Sequence, residues 1–272
     1  MPFSFKNILI PVDLTLSSEV AVKKALELAD KGATINLLHI QKYTLPGLKG
    51  KENIPDFNYI IEQRLNRLKD KIEENENNIN VYKRIMSDDS IQKAIERSAS
   101  ELAVDIIIIG KKSHHSWLPF LNTVVPSKIA QKTGIPVLTV KPGATYSKKI
   151  KTMVVPVTSE TVKNKMEIIS AICGKFKVKI HLATFTNNQK EPSQFTGFPM
   201  LQMYQWLQSI RCPVEYIVLQ GSNKARAILT YAEKINADIL IVHPESETKI
   251  GWPNKHISDM LPSASKVQVW TV

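Results

Sequence analysis

The sequence predicts an α/β fold built twice in tandem: two doubly wound domains, each with a five-stranded parallel sheet flanked by helices. Three matched landmarks carry this expectation. Lys6-Asn7-Ile8-Leu9-Ile10-Pro11-Val12-Asp13 returns as Lys151-Thr152-Met153-Val154-Val155-Pro156-Val157-Thr158. Ala103-Val104-Asp105-Ile106-Ile107-Ile108-Ile109-Gly110 is echoed by Ala237-Asp238-Ile239-Leu240-Ile241-Val242-His243, and Val137-Leu138-Thr139-Val140 by Val269-Trp270-Thr271-Val272. Landmarks repeated in the same order point to a duplication. The domains are placed at 1–142 and 149–272, with Lys141 to Lys149 as the linker because it gathers Pro142, Gly143 and Ser147.

Within the first copy, strand and helix signals alternate. Ile8 to Val12 is apolar almost throughout, as a strand covered on both faces must be. Ser17 or Ser18 can cap a helix running through Lys31, and Gly32 stops it. Ile35 to Ile40 gives the second strand. A loop with Pro46, Gly47, Gly50 and Pro55 leads to an amphipathic helix over Phe57–Glu74. Asn80 to Met86 is the third strand, Ser90 to Leu102 a helix, and Asp105 to Gly110 the fourth strand. Thr123 to Lys132 reads as helix and Pro136 to Val140 as the fifth strand. Such alternation implies right-handed crossovers with helices on both faces. Ligands in these folds sit beyond the carboxyl ends of the strands, at the switch point. The loops after the first and fourth strands are therefore the expected site.

Composition narrows the class. No apolar stretch in the 272 residues reaches the roughly 18 needed to cross a bilayer, and Met1 to Phe5 lead almost directly into a strand, so no membrane segment or leader is expected. Two cysteines, Cys173 and Cys212, without CxxC spacing suit a reducing cytoplasm and no structural zinc. The net charge of +11 is spread along the chain: residues 1–145 carry 20 basic and 16 acidic groups, residues 146–272 carry 16 and 9. The densest patch is Lys148-Lys149-Ile150-Lys151, and no nucleic-acid signature accompanies it, so nucleic acid is not expected as a partner.

Several chemistries fail on spacing. Gly110-Lys111-Lys112-Ser113 resembles the tail of a P-loop, but the required earlier glycine is replaced by Asp105. No G-x-G-x-x-G, G-x-S-x-G or H-E-x-x-H occurs. His114-His115 are adjacent, which suits two ligands of one metal poorly, and no catalytic residue or metal site is expected. His39 near a strand end reads as a satisfied, half-buried histidine. Asp13, where the first strand meets its loop, has two readings. It can accept from a ribose or amine, or it can bond to amides of its own loop. The segment Lys190 to Gln208 concentrates aromatic and methionine side chains. That segment reads as a loop and an amphipathic helix packing on the sheet, or as an exposed partner-binding surface.

The pattern at 6–13, with Leu37-Leu38-His39-Ile40, Asp105–Gly110 and Gly134-Ile135-Pro136-Val137-Leu138-Thr139-Val140, resembles the universal stress proteins. The resemblance covers the whole first copy and parts of the second. It implies a flavodoxin-like sheet of the adenine nucleotide alpha hydrolase type, with domains paired through their fifth strands. One chain could then make an internal pseudo-dimer, with a homodimer of chains as a further option. Nucleotide-binding members carry Gly-x-x-Gly and, after a spacer, Gly-Ser or Gly-Thr, so that backbone N–H groups reach the phosphates. Here Gly110 keeps the first glycine, whereas Ser113, Thr123 and Val124 hold the later positions, followed by Val125. The adenosine-side positions Pro11, Asp13 and Ile40 match. The second copy is more altered, with Thr158, His243 and Ser246 at the corresponding places. Three functions follow. The first is a stress-response module whose tandem domains bind protein partners or a small ligand without turnover, with ATP or AMP as the only candidate cofactors. The second is an ATP-binding member with slow hydrolysis in the first domain. The third is a nucleotidyl transferase of similar topology, at which only Lys111 and Lys112 hint.

Overall fold

The computed structural model describes residues 3–41, 55–75, 78–111, 124–146, 150–157, 162–186, 197–221, 223–244 and 256–272. Its first half runs β1 (Asn7–Pro11), α1 (Leu16–Leu28), β2 (Thr34–Gln41), α2 (Pro55–Asn75), β3 (Asn80–Ser87), α3 (Ile91–Glu101), β4 (Ile106–Gly110), α4 (Pro126–Thr133) and β5 (Val137–Val140). A 3-10 turn over Pro142–Tyr146 leads into the second half. That half contains β6 (Thr152–Pro156), α5 (Val162–Lys175), β7 (Lys179–Thr186), α6 (Gly197–Ser209), β8 (Val214–Gln220), α7 (Lys224–Lys234), β9 (Ile239–Val242) and β10 (Gln268–Thr271). In place of a counterpart to α4, the described residues hold only a 3-10 turn at Ile257–Met260.

Each half repeats the same strand order, and the two join into one ten-stranded sheet, β3-β2-β1-β4-β5-β10-β9-β6-β7-β8. Pairing within each half is parallel. The halves meet through β5 and β10, which run antiparallel with Leu138 opposite Trp270. This is the fifth-strand pairing that the family resemblance implies. It places the carboxyl ends of one half's strands beside the amino ends of the other's.

The apolar runs split by alternation across the sheet. On one face Ile8 and Ile10 of β1, Ile106 and Ile108 of β4, Met153 and Val155 of β6 and Trp270 of β10 join α1, α2, α5 and α6 in a single core through both halves. On the other face Leu9, Ile107 and Ile109 pack under α3 and α4. Val154, Leu240 and Val269 form a separate core under α7. Both faces of each central strand are thus covered, which is why these segments carry no polar alternation. The shared core is finished at the seam by Phe5 and Trp270, edge to face with centroids 6.0 Å apart. There Lys175 of the second half pairs with Asp30 of the first at 2.7 Å.

Some local expectations shift. Helix α1 begins at Leu16 with Thr15 as its cap residue rather than Ser17 or Ser18, because Ser18 Oγ turns back to accept from the Thr15 N–H. It ends at Ala29, ahead of Gly32, which supplies a left-handed turn residue (φ 76°) before β2. The stretch read as a linker is well packed at its start. Lys141 is buried, and the Gly143 N–H donates to Ser263 O at 2.8 Å. A Cβ on Gly143 would lie 2.1 Å from Ala264 O, so only glycine permits this approach. In α6, Met200, Met203 and Leu207 enter the shared core, as the packing reading of that segment requires. Phe198 and Leu201 stay exposed, while 190–196 lie outside the described residues.

Candidate functional site

The crevice of the first half lies where β1 and β4, hydrogen-bonded neighbours, turn toward different helices. Past Pro11, Val12 continues the ladder: its N–H donates to Leu38 O, and its carbonyl meets His39 Nδ1, both at 2.8 Å. His39 is therefore satisfied, and its burial lowers its pKa against the opposing pull of Val12 and Asp13. It is more deeply buried than expected, at 8% exposure.

Asp13 is half-buried, and one carboxylate oxygen is fully engaged in its own loop. Oδ1 accepts from the Thr15 N–H at 3.1 Å, Thr15 Oγ1 at 2.6 Å and Ser18 Oγ at 2.9 Å. The loop reaches this geometry through Leu14 in the left-handed region, φ 58°. Of the two readings of Asp13, this geometry displays the second: the side chain secures the entry to α1. Pro11 and Ile40 are buried near the carboxyl ends of β1 and β2.

Gly110 closes β4 beneath α1. A Cβ there would lie 1.9 Å from Ser17 O and 2.4 Å from Ser17 C, so backbone meets backbone at this point. Lys111 then turns inward. It is 1% exposed, donates to Val124 O at 2.9 Å and pairs with Asp259 at 2.8 Å. Val124 and Val125 are buried, and the Val125 N–H takes Gln92 Oε1 at 3.2 Å before α4 starts. The structure thus brings Asp13, Gly110, Val124 and Val125 to one end of the first half's sheet, with Pro11 and Ile40 behind them. Ser113 and Thr123, like His114, His115, Thr158 and Ser246, lie outside the described residues. Lys111, read as a hint of a triphosphate grip, is instead committed to an ion pair inside the protein.

That pair belongs to a buried cluster the sequence did not reveal. Asp259 Oδ2 accepts from the His256 N–H at 2.9 Å. His256 Nδ1 accepts from the Ser258 N–H, so its proton sits on Nε2, which meets Thr271 Oγ1 at 3.0 Å. Full burial, reinforced by the nearby lysines, pushes the imidazole pKa down to about 3, and His256 is neutral. Burial also pulls the Lys141 ammonium down to about 8, against the charge of Asp259 and helped by Lys111.

The Lys141 shift has a measurable sign. The unfolded lysine holds its proton to about 10.5, the folded one to about 8. Between those values the unfolded state binds more protons, so stability rises with pH. The cost of the buried charge is thus complete below about pH 8 and relieved above it. Comparing denaturant midpoints at pH 7.5 and 10, the stability of wild type relative to Lys141→Met is expected to improve by on the order of 2 kcal/mol.

A cleft of about 560 Å³ lies elsewhere, between the halves. Its walls include Asp105, Gln131 and Pro136 of the first half and Glu167, His243 and Val272 of the second. His243 occupies the place that Gly110 holds in the first copy, whereas neither Asp13 nor Gly110 lines this cleft. Among the described residues no group of acidic, histidine or cysteine side chains is arranged to hold a metal ion.

The model of the universal stress protein family matches residues 4–141. The chain belongs to the universal stress protein family. Among solved structures, a universal stress protein from Archaeoglobus fulgidus superposes with a TM-score of 0.70 at 16% identity, covering 99% of this chain and 97% of that one. A functionally unknown protein from Pseudomonas aeruginosa superposes with a TM-score of 0.56 at 15% identity, covering 98% and 92%. The cytoplasmic domain of a prokaryotic cation chloride cotransporter gives 0.54 at 12% identity, covering 98% and 94%. These likenesses show that the tandem fold recurs. No curated protein matches the chain. No helix among the described residues of this universal stress protein is long and apolar enough to cross a membrane.

Proposed function

We propose that this universal stress protein is a cytoplasmic response module that acts through protein partners, without turnover and without a firm grip on a triphosphate. The observation carrying this reading is the fate of the trailing end of the phosphate loop. Val124 is wholly buried, and its carbonyl is held by Lys111, which is itself neutralised by Asp259 of the second half. A cation spent inside the protein is not offered to a phosphate, and a valine side chain supplies no hydroxyl. The apolar side chains of Phe198 and Leu201, 76% and 52% exposed on α6, are the kind of surface a protein partner would cover.

A second reading keeps an adenine nucleotide in the first half, with ATP slowly hydrolysed or AMP simply held. It is favoured by the half-buried Asp13 at the carboxyl end of β1, flanked by Pro11 and near Gly110, where such folds place ligands. Calorimetric titration of ATP, AMP and adenosine into nucleotide-free protein, with and without magnesium, separates the two. The expected result is no saturable heat from ATP in the low micromolar range. Magnesium-dependent ATP binding at such concentrations would put the nucleotide-binding reading first.

A further inference from the structure

The chain's two cysteines, far apart in sequence, meet in the fold. Cys173 lies in the last turn of α5, and Cys212 lies in the turn between α6 and β8. Their Sγ atoms are 3.1 Å apart, and both are free thiols. Cys212 is held in place: its N–H donates to Leu207 O at 2.9 Å, and its Sγ lies 3.4 Å from Val178 O. The turn reaches this position through Arg211 in the left-handed region, φ 55°, a conformation a bulky residue keeps only where its surroundings enforce it. Cys173 is half-buried, whereas Cys212 is 7% exposed, so Cys173 is the more open of the two to solvent.

We propose that Cys173 and Cys212 form a reversible oxidation site that closes an intrachain disulfide between the end of α5 and the start of β8. With hydrogen peroxide as oxidant, Cys173 Sγ attacks one oxygen, the O–O bond breaks, and a sulfenic acid and one water result. Cys212 Sγ then displaces the sulfenic oxygen, which leaves as a second water. Two thiols have lost two electrons and two protons to the peroxide, and a dithiol reductant reverses the change. Burial, and then the neighbouring Cys212, push the Cys173 thiol well above the ordinary cysteine range. Little thiolate is present at neutral pH, so closure is slow compared with a dedicated peroxide sensor.

The bond would bridge residues 39 positions apart and fix the layer that seals the shared core. Helix α5 sends Lys175 to Asp30 of the first half, and α6 sends Met200, Met203 and Leu207 into that core. A loop of this length restricts the unfolded chain enough to raise the melting temperature by about 5 °C or more.

The test treats the reduced full-length protein with hydrogen peroxide, blocks remaining thiols with N-ethylmaleimide and measures intact mass and melting temperature. Expected are a monomer lighter by about 2 Da that takes up no maleimide, a raised melting temperature, and recovery of two reactive thiols after dithiothreitol. In Cys212→Ser the peroxide should leave Cys173 as an oxygen adduct and produce no rise in melting temperature. Maleimide uptake by both thiols after oxidation would overturn the proposal, as would Cys173 gaining oxygen in wild type. So would a disulfide between chains, or a rise in melting temperature that survives in Cys212→Ser.

Discussion

Asp259→Ala is expected to lower unfolding stability by about 3 to 5 kcal/mol, because it leaves Lys111 charged and buried without its counter-ion. Asp259 stands at the crossing point of the two halves, with Lys111 on one oxygen and the His256 amide on the other. For a protein of this size the loss corresponds to a fall in melting temperature on the order of 10 °C, read by calorimetry. A surface ion pair would move stability far less, so the magnitude itself reports the burial. Replacing the pair by apolar side chains in Lys111→Met/Asp259→Leu should recover more than half of the loss. The acid dependence has a defined sign. Burial alone would raise the Asp259 carboxyl, but Lys111 and the His256 amide outweigh it and hold the carboxyl below its usual value. Its contribution is complete above the unfolded value of about 3.9 and is lost as pH falls through the folded one. The gap between wild type and Asp259→Asn should therefore close in strongly acid solution.

What could be read from residues alone follows from the range of the interactions involved. Strands β1, β4, β6 and β9 were legible because a strand covered on both faces must be apolar throughout, and Ile106 to Ile109 can hardly be anything else. The pairing of β5 with β10 was implied by the family resemblance and not by the residues of either strand, whose apolar runs would suit any buried neighbour. The position of Asp13 was legible from topology. Its bonds were not, because Thr15 and Ser18 offer the same donors a ligand would. The inward turn of Lys111 was invisible for a different reason. A lysine after a strand normally points to water, and only the fold brings Asp259 from the far end of the chain to meet it. The same holds for Cys173 and Cys212, whose spacing resembles no motif. That the described residues of the second half hold a 3-10 turn where the first half has α4 was not foreseen, since the strand echoes gave no sign of it.

Gly110→Ala is expected to be nearly as damaging as the loss of Asp259, at about 3 kcal/mol. The added methyl would lie 1.9 Å from Ser17 O, a backbone atom of α1 that cannot rotate away. Relief requires β4 to drop from α1 or the first turn of α1 to lift, and either opens the layer that holds Val20 and Ala21 against the sheet. Gly174→Ala is the matched control: nothing lies within 4 Å of its added carbon, and it sits inside α5, where alanine favours the helix. Denaturant unfolding should show the control as stable as wild type or more so, and Gly110→Ala with its midpoint sharply reduced. The consequence reaches the functional question. Glycine at 110 is demanded by the contact between strand and helix whether or not a phosphate ever lies above it. Its presence therefore says little about nucleotide binding, and weakened ATP binding in Gly110→Ala would report a displaced helix. The informative positions are those where the residue present lacks what a phosphate would need. At 124, buried in the core under α3 and α4, packing favours the valine that is present over the hydroxyl a phosphate would need.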